Sequence, residues 1–159
     1  MSVKHPIIAV TGSSGAGTST VMQSFKNIFR RENLNAQVVE GDAFHRFDRL
    51  SMRAQMKEQD AAGNRHFSHF GPEANLLSEL EQLFVSYGAT GTGNSRKYLH
   101  DAGEAEPFGQ EPGTFTPWNP LPSSELLFYE GLHGGVSTDT VDVARHVDLL
   151  LVLLAAVGV

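Results

Sequence analysis

Apolar residues along this chain form short continuous runs that alternate with stripes at helical spacing. The continuous runs cover residues 6–11, 126–129 and 149–154. Such runs predict buried strands, because a parallel strand that is covered on both faces needs apolar side chains throughout its length. Residues 36–40 are also predicted to form a strand.

Two stripes of apolar residues at helical spacing lie between these runs. The first predicts a helix through Arg31, and its members are Val21, Phe25, Ile28 and Phe29. The second predicts a helix that ends near Gly88, with Pro72 suited to its start, and its members are Leu76, Leu77, Leu80, Leu83 and Phe84. Strands alternating with helices predict an α/β fold, a doubly wound and mainly parallel sheet flanked by helices.

Domain organisation follows from length and composition. We expect residues 1–159 to form a single domain, with an irregular surface excursion at about 101–124, where Gly, Pro and acidic residues accumulate. The final stretch from Leu149 to Val159 is almost wholly apolar. Since a parallel strand needs cover on both faces, we expect the domain to be partial and truncated at the C-terminus, with an unusual natural terminus as the alternative.

A glycine-rich segment follows the first predicted strand and precedes the first predicted helix. It comprises Gly12, Ser13, Ser14, Gly15, Ala16, Gly17, Thr18, Ser19 and Thr20. This fits the P-loop pattern, whose backbone N–H groups hold nucleotide phosphates, except that Thr18 stands at the usual lysine position. The motif therefore predicts nucleotide binding more directly than catalysis, and the fold class becomes P-loop NTPase-like.

Two alternatives to the P-loop are a dinucleotide-binding turn and a purely structural glycine turn. In the first, Glu40 at the end of the second strand would contact a ribose. The glycine spacing here is Gly-x-x-Gly-x-Gly, which differs from the dinucleotide fingerprint, and no Tyr-x-x-x-Lys pair follows Tyr87, Tyr98 or Tyr129. A GTPase is disfavoured because the chain has no Asn-Lys-x-Asp segment.

Two oxygen-bearing residues are candidate magnesium ligands. Ser19 lies at the start of the first helix, where phosphates would bind, although its hydroxyl could simply cap the helix. Glu130 follows an apolar strand and could hold the ion or its water, with a solvated strand-end acid as the alternative.

Asp42 follows the second strand, at the sheet edge where open α/β folds bind ligands. His45, Arg46 and Arg49 follow within two turns, and the spacing of His45 and Arg49 predicts that they share a helix face. This arrangement suits a base that accepts a hydroxyl proton beside groups that bind a phosphate. A turn aspartate beside an ordinary surface salt-bridge cluster is the alternative.

Tyr98 and three further histidines are the remaining candidates for binding residues. Tyr98 and His100 would point the same way from an extended segment and could bind substrate, or be structural residues of a loop. His66 and His69 are not expected to bind a metal, because no further ligands of suitable spacing accompany them.

Composition and the N-terminal sequence limit the binding partners and the cellular compartment that we expect. The formal net charge of −6 argues against a protein that coats nucleic acid, and the absence of cysteine rules out disulfides and thiolate chemistry. The N-terminus has no charged-then-apolar leader pattern and the first apolar run is too short to cross a membrane, so we expect a soluble, cytoplasmic protein.

Five segments together carry a resemblance to a known family. They run from Gly12 to Thr20, from Glu40 to Phe47, from Phe67 to Phe70, from Tyr98 to Asp101 and from Leu127 to His133. In these segments the chain resembles phosphoribulokinases of the bacterial type, in which a threonine also replaces the P-loop lysine. Uridine-kinase-like or pantothenate-kinase-like enzymes and a silent nucleotide-binding module are the alternatives.

The resemblance implies transfer of the γ-phosphoryl group of ATP to the 1-hydroxyl of ribulose 5-phosphate, giving ribulose 1,5-bisphosphate in the Calvin cycle. It implies Asp42 as the base, and Ser19 with Glu130 around Mg²⁺. It implies a sugar-phosphate site formed by His45, Arg49, Tyr98 and His100. Family members are typically oligomers activated by NADH, and they continue into a basic lid region, so we expect the 159-residue chain to turn over poorly or not at all.

Overall fold

The computed structural model describes residues 4–13 and 15–154, and its core is a four-stranded parallel sheet. The strands are β1 (Ile7–Gly12), β2 (Ala36–Glu40), β5 (Leu126–Glu130) and β6 (Leu149–Leu153), in the spatial order β2-β5-β1-β6. The parallel α/β fold predicted from the sequence is therefore confirmed, and β6 ends at Leu153, one residue earlier than the apolar run.

Helices cover the two faces of this sheet. The helices α1 (Thr18–Arg31) and α3 (Leu77–Thr90) match the two predicted stripes. On one face Val10 and Phe128 pack with Phe29 of α1. On the other face Ile7, Ala9, Leu127 and Tyr129 pack with the buried side of α3, which consists of Leu80, Leu83, Phe84 and Tyr87. Adjacent residues of a strand point to opposite faces, so each central strand needs apolar residues at every position.

The segment between β2 and α3 departs from the expected helix face. A 3₁₀ helix (Gly41–Phe44) follows β2, and His45 has extended backbone angles, φ −61° and ψ 139°. The next helix, α2, spans Arg49–Ala61, with Asp48 as its N-cap accepting from the Ser51 amide at 2.7 Å. The prediction that His45 and Arg49 share a helix face is therefore wrong, because the cap at Asp48 starts a new helix between them.

The start of α3 is also displaced. Pro72 opens a separate 3₁₀ turn (Pro72–Ala74), and α3 begins only at Leu77. Between them, residues 74–76 pair with residues 44–46 through the Arg46 N–H to Ala74 carbonyl bond of 2.8 Å and the Leu76 N–H to Phe44 carbonyl bond of 2.7 Å. This pairing fixes the segment after Asp42 against the N-terminal end of α3.

Residues 101–124 are built of short pieces that fold back on residues 94–100. The strand β3 (Asn94–Ser95) pairs antiparallel with β4 (Asn119–Pro120). The helix α4 (Ala102–Ala105) and a 3₁₀ turn (Glu106–Phe108) lie between these two strands. Ala105 and Thr116 are buried, so part of the segment packs into the protein.

The strand β6 lies at one edge of the sheet, and apolar side chains on it remain exposed. Leu149 is 48% exposed and Val152 is 56% exposed. Among residues 4–13 and 15–154, no helix is long and apolar enough to cross a membrane.

Candidate active site

The glycine-rich segment connects β1 to α1 at the carboxyl edge of the sheet. Gly15 and Gly17 have φ of 82° and 90°, values that glycine adopts without strain, and a Cβ on either would meet no atom within 4 Å. The Val21 N–H bonds to the Gly17 carbonyl at 3.1 Å and starts α1. Ser14 lies outside the described residues. The open, left-handed turn suits backbone N–H groups that bind an anion, which remains a prediction here.

The base of this loop is packed tightly against its neighbours. A Cβ on Gly12 would lie 2.9 Å from the carbonyl oxygen of Leu153 on β6. The Thr11 hydroxyl donates to the Leu132 carbonyl at 2.6 Å, in the segment that follows β5. The loop is thus held between the ends of its two neighbouring strands.

Oxygen-bearing side chains beside the loop suit a magnesium ion. Ser19 is exposed in the first turn of α1, and half-buried Glu130 ends β5 in register with Val10 of β1. Mg²⁺ in nucleotide sites takes few protein oxygens and completes its shell with water and phosphate, so a hydroxyl and a carboxylate fit it. Across residues 4–13 and 15–154 no group of three or more His, Cys, Asp or Glu could hold a metal alone. Within that range, His66 and His69 are in no such group.

Asp42 lies in the 3₁₀ helix that follows β2, on the far side of β5 from the glycine loop. Glu40 pairs with Glu130, and the Gly131 N–H donates to the Val10 carbonyl at 3.0 Å. The ends of β1 and β2 are therefore two strand spacings apart, about 10 Å. The glycine loop and the turn that carries Asp42 therefore lie at the same edge of the sheet with one strand end between them.

Two histidines surround the Asp42 carboxylate. His45 Nε2 lies 3.2 Å from Oδ1, and His100 Nε2 lies 3.5 Å from Oδ2. The hydrogen bond from His45 lowers the pKa of Asp42, burial opposes this, and the charges of both histidines lower the pKa further. Asp42 is therefore ionised at neutral pH, as a general base must be.

His45 is held on its other side by Asn75. Its Nδ1 lies 2.9 Å from Asn75 Oδ1. Burial lowers the pKa of His45, but hydrogen bonds to Asp42 and Asn75 and the charge of Asp42 outweigh burial, so the pKa is raised.

Arg49 joins the first turn of α2 to the segment that carries Tyr98 and His100. Its guanidinium donates to the His100 carbonyl at 2.7 Å and lies 6.0 Å from the centre of the Tyr98 ring. The rings of Tyr98 and His100 are 4.8 Å apart, and the His45 ring is 6.2 Å from Tyr98. The structure thus brings together Asp42 and the four residues expected to bind a sugar phosphate.

These five side chains line one cavity of about 380 Å³. Its other lining residues were not predicted from the sequence to bind substrate, and they are Phe47, Asp48, Met52, Arg53, His69 and Ala74. Arg53 lies one helical turn after Arg49 on α2. That spacing places both basic side chains on one helix face and could have indicated Arg53 as a further residue of the site. His69 lies in the resemblance segment Phe67–Phe70, but no sequence pattern indicates that its side chain reaches this cavity.

Arg96, whose positive charge close to Tyr98 suggests substrate binding from the sequence alone, has a structural role that the sequence does not predict. Its guanidinium donates to the carbonyls of Ala43 at 2.8 Å and His45 at 2.6 Å. It also lies over the rings of Phe115 and Trp118, 3.6 Å and 4.6 Å from their centres. Arg96 therefore fastens the turn that carries Asp42 to the folded-back segment.

The sheet order, the glycine loop on β1 and the carboxylate after β2 define a P-loop kinase-like protein of the α/β class. The family model described as "Phosphoribulokinase / Uridine kinase family" matches residues 7–159, and the chain belongs to that family.

Relatives with known names agree with this assignment. The chain is 61% identical over 152 residues to the chromosomal phosphoribulokinase of Cupriavidus necator, covering 95% of this chain and 52% of that protein. It is 61% identical over 147 residues to the phosphoribulokinase of Nitrobacter vulgaris, covering 92% and 51% respectively. The chain thus spans about half the length of the curated relatives it matches.

Solved structures show the same architecture. Phosphoribulokinase from Rhodobacter spheroides superimposes with a TM-score of 0.83 at 51% identity, covering 94% of this chain and 50% of that one. A possible uridine kinase from Bacillus stearothermophilus has a TM-score of 0.63 at 13% identity, covering 96% and 72%, which shows a shared fold alone.

Proposed function

We propose that residues 1–159 form a partial P-loop kinase domain that binds ATP with Mg²⁺ and ribulose 5-phosphate, and that represents a cytoplasmic phosphoribulokinase. The observation that carries the proposal is the cavity in which ionised Asp42 faces His45, His100, Arg49 and Tyr98. High identity to named phosphoribulokinases across nearly the whole chain supports the choice of substrate.

In the proposed reaction the sugar phosphate lies in the cavity and its 1-hydroxyl faces Asp42. Asp42 accepts the hydroxyl proton, the sugar oxygen forms a bond to the γ-phosphorus, and the bond to the β,γ-bridging oxygen breaks, so that ADP leaves with that oxygen. Arg49, His45, Tyr98 and His100 hold the acceptor, which supplies the alignment that phosphoryl transfer needs.

The nucleotide phosphates are assigned to the loop from Gly12 to Thr20. Ser19 and Glu130 would hold Mg²⁺, which neutralises phosphate charge when bound. Thr18 supplies no ammonium group, so charge on the outer phosphates must be met by other groups. Because the chain spans half of its relatives, we expect ATP binding with little or no turnover from the 159 residues alone.

The test measures binding and turnover separately. Isothermal titration with MgATP should show binding, and ³¹P NMR should show little formation of ribulose 1,5-bisphosphate compared with the Cupriavidus necator enzyme. Any residual turnover should vanish in Asp42→Asn. Failure to bind MgATP contradicts the nucleotide site, and turnover equal to that of the relative contradicts the low-activity proposal. Uridine and pantothenate as alternative acceptors test the substrate.

By the same family resemblance we propose a homo-oligomer that responds to NADH. Light scattering measures the oligomeric state, and thermal denaturation with and without NADH measures whether NADH binds. A monomer whose thermal stability NADH leaves unchanged contradicts both points.

A further inference from the structure

Asn75 is a buried polar residue just before α3, with 1% of its surface exposed. Its Nδ2 donates to two backbone carbonyls, of His69 at 2.9 Å and of Gly71 at 2.7 Å. A carbonyl oxygen only accepts, so both contacts require the NH₂ end of the amide, and the orientation of the Asn75 side chain is fixed.

This orientation decides the hydrogen on His45. Asn75 Oδ1, which only accepts, is 2.9 Å from His45 Nδ1, so Nδ1 must carry a proton. Nε2 faces Asp42 Oδ1 at 3.2 Å, and an ionised carboxylate also only accepts. A neutral ring has one N–H and would direct a lone pair at one of the two acceptors. Only the doubly protonated ring satisfies both.

We propose that Asn75 is a positioning residue that holds His45 as an imidazolium with its Nε2–H directed at Asp42. The functional part of this inference rests on the proposed phosphoryl-transfer site. Asn75 is too deeply buried to be assigned a substrate contact, and it acts through His45. Through this chain of bonds, the loop at residues 69–71 sets the charge of the ring beside the base.

Other groups around His45 also affect the balance between its charged and neutral forms. Arg96, bonded to the His45 carbonyl, disfavours the imidazolium, and so does burial. Positive charges on His45 and on His133, which lies on the segment after β5, disfavour each other. His100 reaches the same carboxylate from Oδ2, and Tyr98 presents its ring 6.2 Å from the imidazole. Asp42 and Asn75 are the two acceptors that counter these effects.

An imidazolium at this position has two consequences for the site. It holds Oδ1 of Asp42 and leaves Oδ2 oriented toward the cavity side occupied by His100. It also keeps one positive charge in a cavity that is proposed to receive a sugar phosphate dianion. Loss of Asn75 should therefore weaken both the orientation of the base and the attraction for the phosphate.

The test is ¹H–¹⁵N long-range NMR of the histidine rings in the 159-residue chain, with His45→Gln used to assign the signals. In the wild type both His45 nitrogens should be protonated in most molecules at pH 6.5. In Asn75→Leu the His45 pKa should fall by about 1, because one hydrogen bond to the charged ring is lost. In Asn75→Leu, the neutral form of the His45 ring should carry its single proton on Nε2, which faces Asp42.

Two matched variants separate this effect from damage to the loop. Arg46→Gln removes bonds from the Arg46 side chain to the Glu73 and Asn75 carbonyls but leaves the imidazole contacts, so the His45 pKa should not change. Asn75→Asp keeps an acceptor for Nδ1 and cannot donate to His69 and Gly71, so His45 should stay protonated.

Two results would overturn the inference. One is an unprotonated Nδ1 in wild-type His45 at pH 6.5, which can be read even if Asn75→Leu does not fold. The other is a folded Asn75→Leu variant whose His45 pKa and tautomer equal those of the wild type. Neither measurement needs ATP or turnover, so failure of the proposed kinase activity would be recognised separately.

Discussion

Gly41 and Gly131 pack directly on each other where β2 and β5 end. A Cβ on Gly41 would lie 2.9 Å from Gly131 Cα, and a Cβ on Gly131 would lie 2.7 Å from Gly41 Cα. The buried Tyr129 hydroxyl lies beneath both, 2.6 Å and 2.7 Å from those two positions. The turn that carries Asp42 can approach β5 this closely only because neither residue has a side chain.

Replacing either glycine by alanine should therefore separate the two turns. We expect Gly131→Ala to cost about 1–3 kcal/mol of unfolding free energy, the usual penalty for overpacking, and to displace Asp42. Urea denaturation measures the cost. Gly71→Ala is a suitable control because its new methyl group would crowd mainly the movable carboxylate end of Glu73. Equal stability of Gly131→Ala and wild type would contradict the close contact.

Substitution of Gly17 tests whether the loop binds phosphate, and a matched variant separates this effect from a loss of stability. Gly17→Ala places a Cβ at φ 90° and should cost about 1–2 kcal/mol. Gly63, after α2, has φ 78° and equally open surroundings, so Gly63→Ala should carry the same backbone cost. Only Gly17→Ala should weaken MgATP binding in calorimetry. Equal ATP affinity in both variants would argue against phosphate binding by this loop.

Arg96 can be followed through the only tryptophan of the chain, Trp118. Arg96→Ala removes two charged hydrogen bonds and the contact with the indole, so we expect a loss of about 2–3 kcal/mol. Trp118 emission should shift to longer wavelength as the folded-back segment loosens. Arg30→Ala serves as the control, since Arg30 bonds exposed Asn27 on α1. An unchanged emission spectrum in Arg96→Ala would count against the fastening role.

His45 and His133 should affect stability in opposite directions as the pH changes. The raised pKa of His45 gives stability that is complete below about pH 6.5 and is lost as pH rises through the folded pKa. Burial lowers the pKa of His133, which bonds the Phe70 carbonyl, so the folded state binds fewer protons and stability rises with pH up to about 6.5.

Chemical denaturation between pH 5 and about pH 8 measures both slopes. His45→Gln should remove the loss of stability that occurs as the pH rises above about 6.5. His133→Gln should remove the increase in stability that occurs as the pH rises toward about 6.5. Slopes that change in the same direction in the two variants would contradict the assigned pKa shifts.

The sequence was sufficient for the elements whose signals are local. The strand Leu126–Glu130 begins with a continuous apolar run, and α1 and α3 have apolar stripes, so these elements could be predicted, although α3 begins at Leu77 rather than at Pro72. The end of β2 placed Asp42 at the ligand-binding edge for the same reason.

Features that depend on tertiary contacts could not be predicted in this way. His45 and Arg49 do not lie on one helix, because Asp48 caps a helix that begins at Arg49. The spacing of residues alone does not reveal such a helix start. No local sequence pattern indicates what Asn75, Arg96 and His69 contact. Their roles depend on pairing between residues 44–46 and 74–76 and on the fold of residues 94–118.

The strand order β2-β5-β1-β6 has a consequence for how the protein is made. The glycine loop and Asp42 are complete within the first 42 residues, yet the strand between them comes from Leu126–Glu130. Residues up to Glu130 must therefore be synthesised before the central strand can join these two parts. Assembly of the pocket then depends on closure of a long loop.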